Sequence, residues 1–287
     1  MSTSTGSTTS TSTSLSTSRQ KRFTTILIVI IAVLILSGGA FYLLRLTSKN
    51  KENFQSPPNQ NEARKTGNPQ SMQDPNEPPL KLKSIGVNLD YYDPATNKAG
   101  DFVFTKQKLE FNRLFMGYGF VIPGSTSSTG RDKSNPQPTF VVPLDTPVRS
   151  LVSGVVAAIP TLWSGDYSVQ VTVDGKMQKW IYETEHLINP KVKVGDKVTA
   201  GQVVGEVSNF NHGAPVGFGT VEIGILKGGQ KPEHVCPFAY LDDSIKEETF
   251  KKMKELFKSW EEYTGGKTLY DESALIPGCL TLDPIEG

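Results

Sequence analysis

Apolar residues recur along this chain with two periods and one unbroken run. From residue 83 onward, short segments alternate apolar and polar positions, as in TFVVP, VRSLVSGVVAAI, YSVQVTV and MQKWIYETEHL. Val169, Val171 and Val173 share one face at a period of two, the spacing of a half-buried strand. Gly, Pro and Asp-Gly turns separate these segments, and no βαβ spacing appears. A compact, mostly antiparallel, mainly β domain is therefore predicted. SIGVNLDYY and GDFVFTKQKLEF read as further strands around the turn DPATNKAG, and residues 125–138 as a long exposed loop. Near the C-terminus the period changes. Phe250, Met253, Leu256, Phe257 and Trp260 lie three or four apart, which places them on one face of an amphipathic helix packed against the β domain. Ser244 with Glu247 predicts a capping box at its start, and Gly265-Gly266 its stop.

The unbroken run is Thr24 to Leu44, which contains no charged residue and is almost wholly Ile, Leu and Val over residues 26–36. A bilayer core of about 30 Å needs about 20 apolar helical residues, and a helix satisfies its own backbone in lipid. The run is therefore predicted to be a single transmembrane helix. A cleaved signal peptide ending near Gly38-Gly39-Ala40 is the alternative, opposed by the apolar residues that continue past Ala40. Basic residues flank both ends (Arg19, Lys21 and Arg22; Arg45, Lys49 and Lys51), so the positive-inside count is nearly balanced. The short leading tail favours a cytoplasmic N-terminus and an extracytoplasmic globular part at the plasma membrane.

The resulting organisation is a Ser/Thr-rich tail expected to be disordered (1–23), the transmembrane helix (24–46) and a flexible Asn/Gln/Pro-rich linker (47–82). A β-rich extension (83–138), a β domain (139–232) and a helical appendage (233–287) follow. The formal net charge of +1 gives no electrostatic reason to expect a nucleic-acid partner. Cys236 and Cys279 are the only two cysteines, and they flank the predicted helix without metal-binding spacing. In a domain beyond a membrane they read as a disulfide, with two buried free thiols in a cytoplasmic domain as the alternative.

The motifs PLDTPV, SGVV, TEHL, VKVGDKVTAGQVVG and GTVEIGI, in that order across about residues 139–226, resemble the lysostaphin/LytM-type zinc peptidases. The stretch Val192–Gly205 carries the resemblance most specifically. It implies a duplicated-hybrid-motif, barrel-sandwich-like β fold. In that family one zinc is held by the His and Asp of an H-x-x-x-D motif and the second His of H-x-H. The chain has three histidines, His186, His212 and His234, and none precedes residue 186. Asn135 stands at the first His position, Thr139 at the Asp position, and Phe218-Gly219-Thr220 at H-x-H. Glu222 and Ile223 keep the end of that motif.

What survives is His186, which matches the His of Y-x-H-L that assists the zinc-bound water in the family. Without metal it is a vestigial catalytic candidate, and a strand-end His bonded to a neighbour such as Glu185 is the bland reading. Glu185, His212, Phe218, Thr220 and Glu222 are the candidate cleft residues. No site is expected at His234. A substitute set of Glu185, His186, His212 and Glu222 has suitable residue types, but no spacing demands it, so no metal and no cofactor are assigned.

Three functions stay open. The leading one is a membrane-anchored, non-catalytic peptidase-like module that binds cell-wall peptide or glycan, or an envelope protein. The second is an active zinc endopeptidase cutting peptidoglycan cross-bridges. The third is a lipoyl-like or membrane-fusion-adaptor module, which VKVGDKVTAGQVVGEV also suits. GKMQKW is a poor carrier-lysine motif, however, and no coiled coil is present in the sequence.

Overall fold

The computed structural model describes residue 74 and residues 76–127, 130–210 and 216–287. The predicted transmembrane span, the tail, most of the linker and His212 lie outside the described residues. Among the described residues no helix is long and apolar enough to cross a membrane.

Eleven strands form one sheet. They are β1 (Phe115–Met116), β2 (Thr139–Pro143), β3 (Pro147–Arg149), β4 (Gly154–Ala158), β5 (Tyr167–Thr172), β6 (Trp180–Ile188), β7 (Lys197–Val198), β8 (Val203–Val207), β9 (Phe218–Lys227), β10 (Glu233–Val235) and β11 (Ile285–Glu286). Hydrogen-bonded order runs β7-β4-β5-β6-β9-β10-β11. The end of β6 also pairs with β8, β8 with β3, the first half of β9 with β2, and β2 with β1. Every pairing is antiparallel, as the alternation predicted.

Register gives this sheet two chemically different faces. Thr184 opposes Val169 and Ile223, Tyr182 opposes Val171 and Ile225, and Val221 opposes Phe140, which itself opposes Phe115. Directly opposed residues point the same way, so these side chains build one apolar face. All of them are buried. The intervening positions (Glu183, Glu185, Glu222, Gly224, Gln170 and Thr139) fall on the other face by the same register.

Residues 83–138 pack over the apolar side, through Phe102 edge-on to Phe140 and Phe104 edge-on to Trp260. They are less regular than their alternation predicted. SIGVNLDYY forms no strand, and GDFVFTKQKLEF contributes only the pair Phe102–Val103. The reason is local. Gly86 has φ +83, and Asn88 donates its N–H to the Asp101 carboxylate at 2.6 Å and accepts from the Asp101 N–H at 2.8 Å. These groups are then not offered to a partner strand.

The helix α1 (Asp243–Thr264) buries Met253, Leu256, Phe257 and Trp260, as the periodicity predicted, with Phe250 partly buried. Phe257 stacks on Phe115 of β1 and on Tyr270. Its start differs from the expected capping box. Asp242 is the N-cap and accepts from the Ser244 N–H at 3.1 Å, so Ser244 lies inside the first turn. Gly265, at φ +78, is the C-cap, as expected. Cys236 and Cys279 form a disulfide across a sequence separation of 43, tying the segment after the helix back to the end of β10.

Candidate functional site

The polar face carries the site, and a break in strand register creates it. In β6 alternation alone would send Glu185 and His186 to opposite faces. Between Thr184↔Val169 and Leu187↔Tyr167, β6 advances three residues while β5 advances two, so Glu185 and His186 together oppose Ser168. That is a β-bulge. His186 has φ +62, a left-handed value uncommon in a residue other than glycine. The bulge brings the Glu185 and His186 side chains to the same place, beside Glu222, which sits directly opposite Glu185 on β9. One donor atom from each of Glu185, His186 and Glu222 lies within 4.8 Å of the others.

His186 is held by Asp166, not by Glu185. Its Nδ1 lies 3.1 and 3.3 Å from the two Asp166 carboxylate oxygens. Asp166 also accepts from the Ser208 hydroxyl at 2.5 Å and from the Ser164 hydroxyl. With Nδ1 turned to a carboxylate, Nε2 faces Glu222, 3.9 Å from Oε2. Phe210 lies flat on the imidazole with ring centroids 3.7 Å apart, and Trp163, 83% exposed, meets Phe210 edge-on at the rim.

A second group continues the face. Glu183, 2% exposed, meets His234 Nε2 at 2.8 Å, Gln137 Nε2 at 3.2 Å and Gln170 Nε2 at 3.1 Å. Gly224 makes room for this convergence. A Cβ there would stand 2.9 Å from Glu183 Oε1 and 3.1 Å from Gln137 Nε2. So His234, where no site was expected, is a buried partner of Glu183.

Burial raises Glu185 and Glu222, and repulsion among the glutamates of this face adds to the effect. Desolvation, then the charges of Glu183 and Glu222, pushes Glu185 up to about 8. Desolvation likewise raises Glu222 to about 7, with Glu183 and Asp166 adding to it and Thr139 and Lys133 opposing. Near neutral pH the Glu185–Glu222 pair therefore retains a proton, giving the cleft an O–H donor beside carboxylate acceptors.

The positions that the sequence resemblance gives to zinc ligands do not suit that ion. Asn135 Nδ2 lies 3.3 Å from Thr139 Oγ1, and the Thr139 hydroxyl lies 3.2 Å from both Glu222 Oε1 and the Gln137 carbonyl. The Thr220 hydroxyl donates to the Phe210 carbonyl at 3.2 Å. An amide and two hydroxyls, tied into hydrogen bonds with their neighbours, supply none of the imidazole, thiolate or carboxylate donors that zinc takes.

Of the candidate residues, Glu185, His186 and Glu222 converge. Thr220 and Phe218 follow Glu222 along the same face of β9, buried at 1% and 9%. Asp166, Ser164, Ser208, Glu183 and Gln137 were not anticipated. Only Glu183 carried a signal, since it alternates with Glu185 in WIYETEHL.

No protein-family model matches the chain, and no curated protein matches it. Its neighbours among solved structures are lysostaphin/LytM-type peptidase domains, at low identity and partial coverage. The catalytic domain of the prophage-encoded protein EnpA from Enterococcus faecalis is 26% identical over 37% of this chain and 77% of that one, with a TM-score of 0.29. The catalytic domain of lysostaphin from Staphylococcus simulans is 21% identical over 39% and 78%, with a TM-score of 0.31. LytU is 23% identical over 54% and 91%, with a TM-score of 0.32.

Proposed function

We propose that this protein is a peptidase-like binding module without peptidase activity, anchored in the plasma membrane by residues 24–44 with its globular part on the extracytoplasmic face. Its ligand is cell-wall peptide or glycan, or an envelope protein that presents similar chemistry. One observation carries the reading: at the three positions where the resembled family holds zinc, this chain has Asn135, Thr139 and Thr220, all engaged in hydrogen bonds. The polar face around them keeps groups that can hold a ligand. Trp163 is exposed beside Phe210, and an O–H donor and carboxylate acceptors gather on that face. The disulfide between Cys236 and Cys279 accords with an oxidising compartment.

Full-length protein in detergent, incubated with purified peptidoglycan fragments, tests this directly. The expected result is capture of cross-bridge peptides or muropeptides and their recovery intact by mass spectrometry. Cleaved fragments accumulating with time would overturn the non-catalytic reading. Failure to retain any envelope fragment would overturn the ligand class.

A further inference from the structure

We propose that Glu185, His186 and Glu222 form a binding site for a divalent transition cation, at a position displaced from the one the family resemblance gives to zinc. The three donors come from two adjacent strands, and the bulge at Glu185–His186 is what makes them converge. Zinc–ligand distances of about 2.0–2.2 Å put tetrahedral donors roughly 3.3 Å apart. Here His186 Nε2 and Glu222 Oε2 are 3.9 Å apart, and all three donors lie within 4.8 Å. Small side-chain adjustments close that gap.

The surroundings are built as the outer shell of a metal site is built. Asp166 holds the far ring nitrogen of His186, and Ser164 and Ser208 hold Asp166. That arrangement fixes the tautomer and aims Nε2 inward, as carboxylate–histidine–metal triads do. Thr139 steadies Glu222 through Oε1, leaving Oε2 towards His186. Independently, Ser168 is fully buried opposite the bulge. By distance and angle its hydroxyl has no hydrogen-bond partner among the described residues. A cation drawing Glu185 inward, or a water bound to that cation, gives this hydroxyl the partner it lacks.

An imidazole with two carboxylates selects zinc-like transition ions over Mg2+ and Ca2+, which prefer all-oxygen sites. Three protein ligands leave coordination room for water or for a donor atom of a bound peptide.

The test uses the full chain, stripped with chelator and titrated with Zn2+ during equilibrium dialysis, with bound metal counted by mass spectrometry. The expected result is one zinc per chain, undisturbed by millimolar Mg2+ or Ca2+, and a raised melting temperature. Glu185→Gln with Glu222→Gln is expected to weaken binding by at least ~100-fold while the metal-free protein keeps its near-ultraviolet circular dichroism. These changes keep the size and shape of both side chains. Asp166→Asn, a positioning change, is expected to weaken binding about 10–100-fold and to alter the Co2+ absorption spectrum. No bound zinc overturns the proposal, as does full binding by the double Gln variant. Loss of binding on Glu183→Gln alone, with none on the double variant, would move the site to the Glu183–His234 pair and equally overturn it. Zinc binding is measured without any peptide, so failure of envelope-fragment capture leaves this result standing, and the reverse holds too.

Discussion

Without metal, this domain should lose stability as the pH rises from 5 to 9. The carboxyl of Glu185 ordinarily loses its proton at 4.5, and in the folded cleft it does so at about 8. Between those values the folded chain holds a proton that the unfolded chain has released. Stability therefore falls with increasing pH, by up to about 1.4 kcal/mol per pH unit for one such group. Below about 4.5 both states are protonated and the advantage of the folded state is fully present; above about 8 it is gone. Glu222, raised to about 7, acts with the same sign. The two face each other across one strand pair, so ionising the first hinders the second, and their effects overlap. Allowing for water reaching the cleft, the expected loss is about 3–5 kcal/mol. At a urea dependence of about 2 kcal/mol per M, the unfolding midpoint should drop by about 2 M. The assay is urea unfolding followed by tryptophan fluorescence in excess chelator at several pH values. The double variant Glu185→Gln, Glu222→Gln should lose most of the slope. Tyr118, raised to about 12, stays protonated throughout and does not contribute. A wild-type midpoint that is flat or rises towards pH 9 would refute the reasoning, as would an unchanged slope in the double variant.

Other expectations concern the frame around the cleft. Gly224→Ala places a Cβ 2.9 Å from Glu183 Oε1 and should cost about 1–3 kcal/mol; calorimetry would show a melting point about 2–4 °C lower per kcal/mol. Trp260→Ala removes a fully buried ring that meets Phe104 edge-on and donates to the Asn112 carbonyl, a loss of about 3–5 kcal/mol by chemical denaturation. Replacing Cys236 and Cys279 by Ala releases a loop of 43 residues, which the loop-entropy account values at about 4 kcal/mol; the same shift should appear in wild type under strong reductant and be absent from the double variant.

Different parts of the chain were legible for different physical reasons. Val169 and Val171 announced their strand because burial against a flat neighbour enforces a period of two, and nothing else in the segment competes with that pattern. Met253, Leu256, Phe257 and Trp260 announced the helix in the same way, yet its N-cap is Asp242 and not the expected Ser244. Asp242 and Ser244 are both good capping residues, and only the backbone geometry decides between them. Residues 83–138 defeated the pattern because Asn88 and Asp101 satisfy each other's backbone, a pairing between residues 13 apart that alternation does not encode. The disulfide was readable by count, since two cysteines allow a single pairing.

The site was legible by residue type and illegible by geometry, and the bulge explains both. Read as a regular strand, WIYETEHL places Glu183 and Glu185 on one face and His186 with the core on the other. On that reading His186 has no reason to meet Glu222, and the missing zinc ligands leave it without a task. One extra residue in β6 relative to β5 reverses the inference. His186 comes to the carboxylate side, and Asp166, 20 residues earlier and just before β5, becomes the group that orients it. A backbone with φ +62 at a non-glycine residue is costly to keep. The hydrogen bond that the His186 ring donates to Asp166 and the stacked ring of Phe210 offset that cost here. So the bulge is the feature to perturb when asking whether the cleft works. A His186→Gly change would relieve the backbone and delete the imidazole, whereas His186→Asn keeps tolerance for the left-handed conformation and removes only the ring. With the ring contacts gone from both, the Gly variant should keep the strand register at little cost, and the Asn variant should be less stable than the Gly variant by chemical denaturation. Equal stability of wild type and the Asn variant would show that the Asp166 and Phe210 contacts do not hold the bulge.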